Sequence, residues 1–199
     1  NCKLCAKGIS MDDGYPKGIA DGWNGLPASF QSGIDAALWR EDNKKVYFFK
    51  GNEYVRLSDT TADAGYPKPI AGSWTGLPAS FESGIDAACW RKANNKIYLV
   101  KGSQYVRLTG ATADDGYPKS IAGNWQDLPA SFQSGVDAVV WRESNDKIYM
   151  FKGSEYVRIT DTKMDAGYPR AIAGNWQGLP ASFSNGISAG FTHRGRKAL

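Results

Sequence analysis

The chain of 199 residues contains one histidine, His193, and three cysteines. It has no His-Glu-x-x-His motif, so it lacks the zinc-binding sequence of metalloproteases. A Ser-His-Asp or Cys-His arrangement would have to use His193, and no pattern in the sequence places a nucleophile beside that residue. The sequence therefore predicts a protein that is not an enzyme.

The cysteines are too few for a four-ligand metal site. Cys2 and Cys5 form a Cys-x-x-Cys pair, but the sequence has no second cysteine pair and no histidine pair to complete a zinc site. A local Cys2–Cys5 disulfide and two free thiols are both compatible with this spacing. Cys89 lies within an apolar run, and we expect it to be a small residue of the core.

Long apolar runs and a one-sided charge are also absent. No run approaches the roughly 18 apolar residues of a membrane-spanning helix, so we predict no membrane span. The net charge of +4 is distributed along the chain rather than clustered, which argues against a nucleic-acid partner. With 42% hydrophobic residues, the chain can form a substantial core, and we predict a single domain over residues 1–199.

The most informative feature is an internal repeat of 51 residues. The sequence Gly-Ile-Asp-Ala-Ala-Leu-Trp-Arg at Gly33–Arg40 returns, with few changes, at Gly84–Arg91 and Gly135–Arg142. The first and third copies share 33 identities in 51 positions. A fixed period of about 50 residues is typical of propellers and solenoids. We define the complete repeats as residues 33–83, 84–134 and 135–185.

The two ends of the chain carry complementary parts of a fourth repeat. Residues 186–199 match the beginning of the repeat, and residues 1–32 match its end. Four repeats of 51 residues would need 204 positions, five more than the chain has. Because joining the two parts would leave no exposed strand edge, we predict a closed ring whose last blade is shared by the termini.

Within one repeat, the residue pattern predicts β-strands. The short apolar run 34–39 follows Gly33 and fits a buried inner strand. Two β-rich runs flank Gly51 and Asn52, which predicts a hairpin with a tight turn. Residues 77–81 contain a proline and are compatible with a helical turn. Each repeat therefore supplies three strands, a fourth strand and a connector.

These residues resemble the hemopexin repeat. The resemblance rests on the run 46–51, the Tyr-Val-Arg sequence at 54–56, the Gly-Tyr-Pro-Lys-Pro-Ile sequence at 65–70, Trp74, and the Gly-Leu-Pro sequence at 76–78. It implies an all-β fold, a four-bladed β-propeller of the hemopexin type with about 51 residues per blade. It also implies similarity to plant seed albumins and lectins and to the hemopexin domains of matrix metalloproteinases, and it favours a secreted or storage-compartment protein.

The resemblance also implies a cation, calcium or sodium, in the central channel, with chloride further along. The predicted ligands are the backbone carbonyls of Asp35, Asp86, Asp137 and Ser188, which occupy equivalent positions in the four repeats. An alternative role for the aspartate side chains is to bond neighbouring backbone amides. Ser188 breaks the set of aspartates, but a backbone ligand would survive that change.

Ligand binding is the function that remains, and we place multivalent sugar recognition first because the repeats are so alike. The tyrosines and tryptophans of the Gly-Tyr-Pro segments could stack on sugar rings, or they could be core residues, which is the interpretation we favour. The variable turn positions Asn52, Ser103 and Ser154 are then the candidates for glycan contact.

Three further functions stay open at this point. Haem iron takes an axial His, Cys, Met or Tyr, so haem binding would use His193, and a homodimer could supply two such ligands. By resemblance to seed albumins, carboxylates near the channel mouth could instead attract a polyamine. A protein-interaction module is the third possibility, with the seam between the fourth and first blades as its distinctive surface.

Overall fold

The structure is a computed structural model that describes residues 18–176 and 178–191. Its described part contains three antiparallel sheets, one for each complete repeat. The all-β prediction is therefore confirmed, whereas the number of four blades and the single domain over 1–199 stay predictions. Residues Cys2, Cys5 and His193 lie outside the described residues. No helix in the described ranges is long and apolar enough to cross a membrane.

Each sheet contains three long strands and two strands of two residues. The first sheet has β1 (Ala36–Arg40), β2 (Lys45–Lys50), β3 (Glu53–Ser58), β4 (Thr61–Ala62) and β5 (Lys68–Pro69). The second has β6 (Ala87–Arg91), β7 (Lys96–Lys101), β8 (Gln104–Thr109), β9 (Thr112–Ala113) and β10 (Lys119–Ser120). The third has β11 (Ala138–Arg142), β12 (Lys147–Lys152), β13 (Glu155–Thr160), β14 (Lys163–Met164) and β15 (Arg170–Ala171).

Helical segments are short, with three to five residues each. The α-helices are α1 (Ile19–Gly22), α2 (Ala28–Gln31), α3 (Ala79–Glu82) and α4 (Ala130–Gln133), and 3-10 turns span Lys92–Asn94 and Ala181–Asn185. The helical turn expected within residues 77–81 is thus confirmed as the start of α3, immediately after Pro78. A proline fits the first turn of a helix because its missing N–H would have no intrahelical partner there.

The predicted hairpin joins β2 and β3. Phe48 pairs with Val55, and Lys50 pairs with Glu53 across a turn that contains only Gly51 and Asn52. Gly51 has a φ of 54°, a conformation that glycine adopts without steric cost. The strands of the hairpin are buried over their central residues, as their apolar composition predicts.

Neighbouring sheets pack face to face with an aromatic connector between them. Between the first and second sheets, Leu38 and Tyr47 of one sheet meet Leu99 and Val106 of the other. Trp74, from the segment that follows the first sheet, lies in the same cluster and is 2% exposed. An equivalent cluster joins the second and third sheets. This repetition places the core between the sheets rather than within any single one.

Each connector also attaches to the outer edge of the next sheet. Thr75 forms a parallel bridge with Thr112 of the second sheet, and Gln126 forms one with Lys163 of the third. Asn24 bridges Thr61 of the first sheet in the same way. Residues 18–32 are therefore placed against the first sheet as the connector of a preceding repeat would be.

Residues 186–191, the predicted start of the fourth repeat, contact both outer sheets. Ile187 packs in a cluster with Phe151 of the third sheet. Ala189 and Phe191 pack in a different cluster, with Phe48 of the first sheet. This segment thus bridges the third and first sheets, which is the position that the shared last blade requires.

Candidate functional site

The aspartates predicted at the channel cap the hairpin turns with their side chains. Asp35 Oδ2 accepts a hydrogen bond of 2.8 Å from the Gly51 amide. The equivalent bonds, from Gly102 to Asp86 and from Gly153 to Asp137, are both 2.7 Å. The alternative role considered for these side chains, bonding neighbouring amides, therefore describes what they do.

Lysines form ion pairs with two of these aspartates. Lys101 Nζ lies 2.7 Å from Asp86 Oδ1, and Lys152 Nζ lies 4.0 Å from Asp137 Oδ1. In the described residues no group of three or more His, Cys, Asp or Glu side chains could hold a metal ion. The main-chain carbonyls of these aspartates as ligands of a cation stay a prediction. Ser188, the fourth predicted ligand, is exposed.

The turn positions proposed for glycan contact are equivalent and exposed in all three sheets. Asn52, Ser103 and Ser154 each follow the hairpin glycine and are exposed. Their backbone carbonyls accept hydrogen bonds of 2.8 Å from the amides of Ile70, Ile121 and Ile172. These bonds fix the turn backbone, so the three side chains are presented in the same setting.

The tryptophans of the repeat are core residues. Trp74, Trp125 and Trp176 are between 2% and 8% exposed. Trp74 makes edge-to-face contacts with Tyr47 and Tyr54, at centroid distances of 5.6 and 5.7 Å. Their faces are consequently closed to a sugar ring, as we expected for the core alternative.

Sequence reasoning missed a cluster of cations around the half-buried tyrosine of each repeat. The Arg56 guanidinium carbon lies 5.2 Å from the centroid of the Tyr66 ring, and Lys68 Nζ lies 5.1 Å from it. Cations at these distances interact favourably with an aromatic ring. The equivalent sets are Arg107, Tyr117 and Lys119 in the second sheet and Arg158, Tyr168 and Arg170 in the third.

One carboxylate orients the arginine in each cluster. Asp63 Oδ2 accepts a bond of 2.5 Å from Arg56 Nε, and Asp63 Oδ1 accepts one of 2.5 Å from Ser58 Oγ. Lys45 Nζ is 3.5 Å from the same carboxylate. Burial alone would raise the pKa of Asp63, but the bonds from Ser58 and Arg56 outweigh it and lower the pKa. We call these residues, with Tyr66 and Lys68, the basic cluster of the first sheet.

The sequence contained the signal for these clusters. Lysine, arginine, aspartate and tyrosine recur at the same repeat positions every 51 residues. The last cation of the cluster is a lysine in the first and second repeats and an arginine in the third. What the sequence could not supply is the pairing of β3 with β5, which brings Tyr54 opposite Lys68.

An apolar cavity of about 240 Å³ lies at the seam between the first sheet and residues 186–191. Trp23, Phe48, Phe183 and Phe191 are among its lining residues. Its volume is below the range of about 300–1,000 Å³ that is usual for drug-sized ligands. His193, the predicted haem ligand, falls outside the described residues, so the structure does not test its role.

Relatives of known sequence include plant and animal proteins. Albumin-2 of Pisum sativum is 38% identical over 117 residues, which cover 53% of this chain and 50% of that protein. Matrix metalloproteinase-2 of Drosophila melanogaster is 30% identical over 165 residues, covering 80% of this chain and 20% of that protein. The chain spans between 20% and 50% of the length of the first curated relatives that it matches.

Solved plant structures have the same fold. A plant albumin from Cicer arietinum showing hemagglutination aligns with a TM-score of 0.68 and 20% identity, over 81% of this chain and 78% of that one. A plant lectin from the same species, with two metal-binding sites, aligns with a TM-score of 0.67 and 21% identity, over 79% and 77% of the two chains. At these identities the likeness concerns the fold.

The family itself is identified by sequence. The Hemopexin family profile matches residues 34–79, 85–130 and 136–181, one match for each complete repeat. Together these matches cover more than half of the 199 residues. Each match begins two residues before the inner strand of a sheet and ends in the helical turn of the connector. The chain therefore belongs to the hemopexin family.

Proposed function

We propose that this protein is a non-enzymatic, multivalent carbohydrate-binding protein. The observation that carries the proposal is an exposed polar side chain at the same turn position in three successive sheets, namely Asn52, Ser103 and Ser154. Equivalent sites on one rigid scaffold gain avidity for a surface that displays many copies of one sugar. The hemagglutination of the Cicer arietinum albumin is consistent with a function of this kind.

The proposal includes a four-bladed ring formed by the whole chain. Its fourth blade would combine residues 186–199 with residues 1–32, and the packing of Ile187 and Ala189 on opposite outer sheets supports this arrangement. A calcium or sodium ion would lie on the axis, held by the backbone carbonyls of Asp35, Asp86, Asp137 and Ser188. Hard cations of this type prefer oxygen ligands.

Sugar binding has better support than polyamine binding. The carboxylates that would attract a polyamine, Asp86 and Asp137, already face Lys101 and Lys152. These lysines reduce the negative potential that a polyamine would need. Haem and spermine titrations of the wild type and of His193→Ala test the alternative directly.

Haemagglutination with sugar inhibition, followed by a glycan array on the same sample, tests the proposal. We expect agglutination that one sugar reverses. Replacing the three turn residues together, Asn52→Ala, Ser103→Ala and Ser154→Ala, should weaken agglutination by at least about tenfold. The matched control replaces three other exposed residues, Ser29, Ser80 and Ser131, by alanine and should agglutinate normally. Absence of agglutination together with an empty array would refute the proposal.

A further inference from the structure

Beside the exposed turn residue, each repeat offers a group of cations for recognition. The tryptophan is buried, and the tyrosine ring has an arginine and a lysine, or two arginines, within 5.2 Å of its centroid. Cations at these distances compete with a sugar for the face of the tyrosine ring. The charged groups themselves therefore face the ligand, which must then carry the opposite charge.

The arginine of each cluster is both fixed and accessible. Arg56 has its Nε bonded to Asp63, while 38% of its side chain is exposed. Arg107 and Arg158 repeat this geometry with bonds of 2.5 Å and 37% exposure. A guanidinium held through Nε presents its terminal nitrogens in a defined direction, which suits bidentate contact with a sulfate or carboxylate group.

Together the three clusters hold nine of the 24 lysine and arginine residues of the chain. Each contains three cations and one carboxylate, as in Lys45, Arg56, Lys68 and Asp63. With two net positive charges in each of three clusters, the clusters exceed the net charge of +4 of the whole chain. The second cluster also has Asp115 beside it, where the other repeats have alanine, and Gln104 where they have glutamate. Each sheet therefore carries one group of three cations, on its second, third and fifth strands.

We propose that the three basic clusters bind the sulfate or carboxylate groups of an acidic polysaccharide. This inference rests on the proposed carbohydrate-binding function and specifies its ligand class. Each sheet offers one separate cationic site, whereas a nucleic-acid surface needs a continuous basic stripe. Three separate sites on one scaffold match a chain that carries charged groups along its length.

Binding to immobilised heparin at about 150 mM NaCl tests the inference, because screening at this salt concentration suppresses weak nonspecific attraction. The test variant is Lys68→Gln/Lys119→Gln, which removes one exposed cation from each of two clusters. The control is Lys44→Gln/Lys92→Gln, which removes the same charge from exposed lysines paired with Glu41 and Glu143. We expect the test variant to bind heparin at least about tenfold more weakly, and the control to stay within about twofold of the wild type.

Further probes distinguish the sources of the charge. Loss of binding on desulfated heparin would assign the sulfate groups, and binding to polygalacturonate would assign carboxylates; either result supports the inference. Equal weakening in the control variant would overturn it, as would binding of a single-stranded DNA oligonucleotide as tight as that of heparin. If heparin and polygalacturonate both fail to bind while a neutral sugar reverses agglutination, this inference is wrong and the proposed function stands. If neither binding nor agglutination is observed, both are wrong.

Discussion

At the scale of single residues, one ion pair joins two neighbouring sheets. Arg91 Nη2 of the second sheet lies 2.8 Å from Asp161 Oδ1 in the turn between β13 and β14. The equivalent turn of the second sheet carries Gly110, and Arg40 of the first sheet pairs instead with Asp42, at 2.6 Å. The interface between the first and second sheets therefore lacks a contact that the next interface has.

We predict that Gly110→Asp creates the missing pair. A Cβ at Gly110 would lie 3.7 Å from Arg40 Nη2, and its φ of 62° is close to the 54° of Asp161. The control is Gly110→Asn, because asparagine tolerates the same backbone conformation without a charge. Urea unfolding should give the aspartate variant about 0.5–1 kcal/mol more stability than the asparagine variant. Equal stability of the two variants would contradict the prediction.

Burial was predictable from the sequence at this scale, but long-range pairing was not. Cys89 replaces leucine and valine of the sister repeats, and it is 5% exposed in the core, as predicted. The pair between Arg91 and Asp161 joins residues 70 positions apart. No periodicity indicates such a contact, because it depends on how one sheet lies against the next.

At the scale of the β-hairpin, the pairing of the third and fourth strands of a sheet brings the arginine and the aspartate of the basic cluster together. Arg107 lies on β8, and Asp114 follows the short strand β9, whose pairing with β8 brings the two side chains within 2.5 Å. The hydrogen bond from Thr109 and that from Arg107 lower the pKa of Asp114 against the opposing effect of burial. The carboxylate thus stabilises the fold in its charged form.

We predict that Asp114→Asn removes about 1–3 kcal/mol of stability at pH 7, the usual cost of disrupting a charged hydrogen-bonded group. Because the folded pKa lies below the ordinary 3.8, the contribution is fully present above that value and is lost as the pH falls through the folded pKa. Urea unfolding at several pH values below about 5 should therefore give a flatter stability profile for the variant.

The neighbouring change Asp115→Asn provides the control for this prediction, because Asp115 is exposed and adjacent in sequence. It should keep the wild-type stability at neutral pH and the wild-type decline in acid. A profile for Asp114→Asn that runs parallel to that of the wild type would show that Asp114 does not contribute through its charge.

The long strands were predictable, but the short ones were only partly so. Alternating and continuous apolar runs indicated the strands that became β1, β2 and β3, and the glycine turn indicated the hairpin. The strands β4 and β5 have two residues each, and two residues cannot display a period. Both pair with β3, so their existence depends on a partner distant in sequence.

At the scale of the whole molecule, the period of 51 residues predicted a succession of equivalent sheets, and residues 18–176 and 178–191 contain three. The repetition extends to close backbone approaches. A Cβ at Gly84 would lie 3.2 Å from the carbonyl oxygen of Gly51, and a Cβ at Gly135 would lie 3.0 Å from that of Gly102. In the same way, a Cβ at Gly186 would lie 3.6 Å from the carbonyl oxygen of Gly153. Residues 186–191 thus approach the third sheet as each inner strand approaches the sheet before it.

This arrangement predicts that residues 186–191 contribute to stability as an inner strand does. Ile187 is 2% exposed, and its equivalent in the second repeat, Ile85, is 1% exposed. Truncation of a buried isoleucine to alanine costs about 2–5 kcal/mol when its surroundings cannot collapse. We therefore expect Ile187→Ala and Ile85→Ala to lower the free energy of unfolding by similar amounts in urea titrations. If Ile187→Ala costs less than about a quarter of what Ile85→Ala costs, the segment is only loosely attached, and the proposed closure of the ring through the chain termini would be wrong.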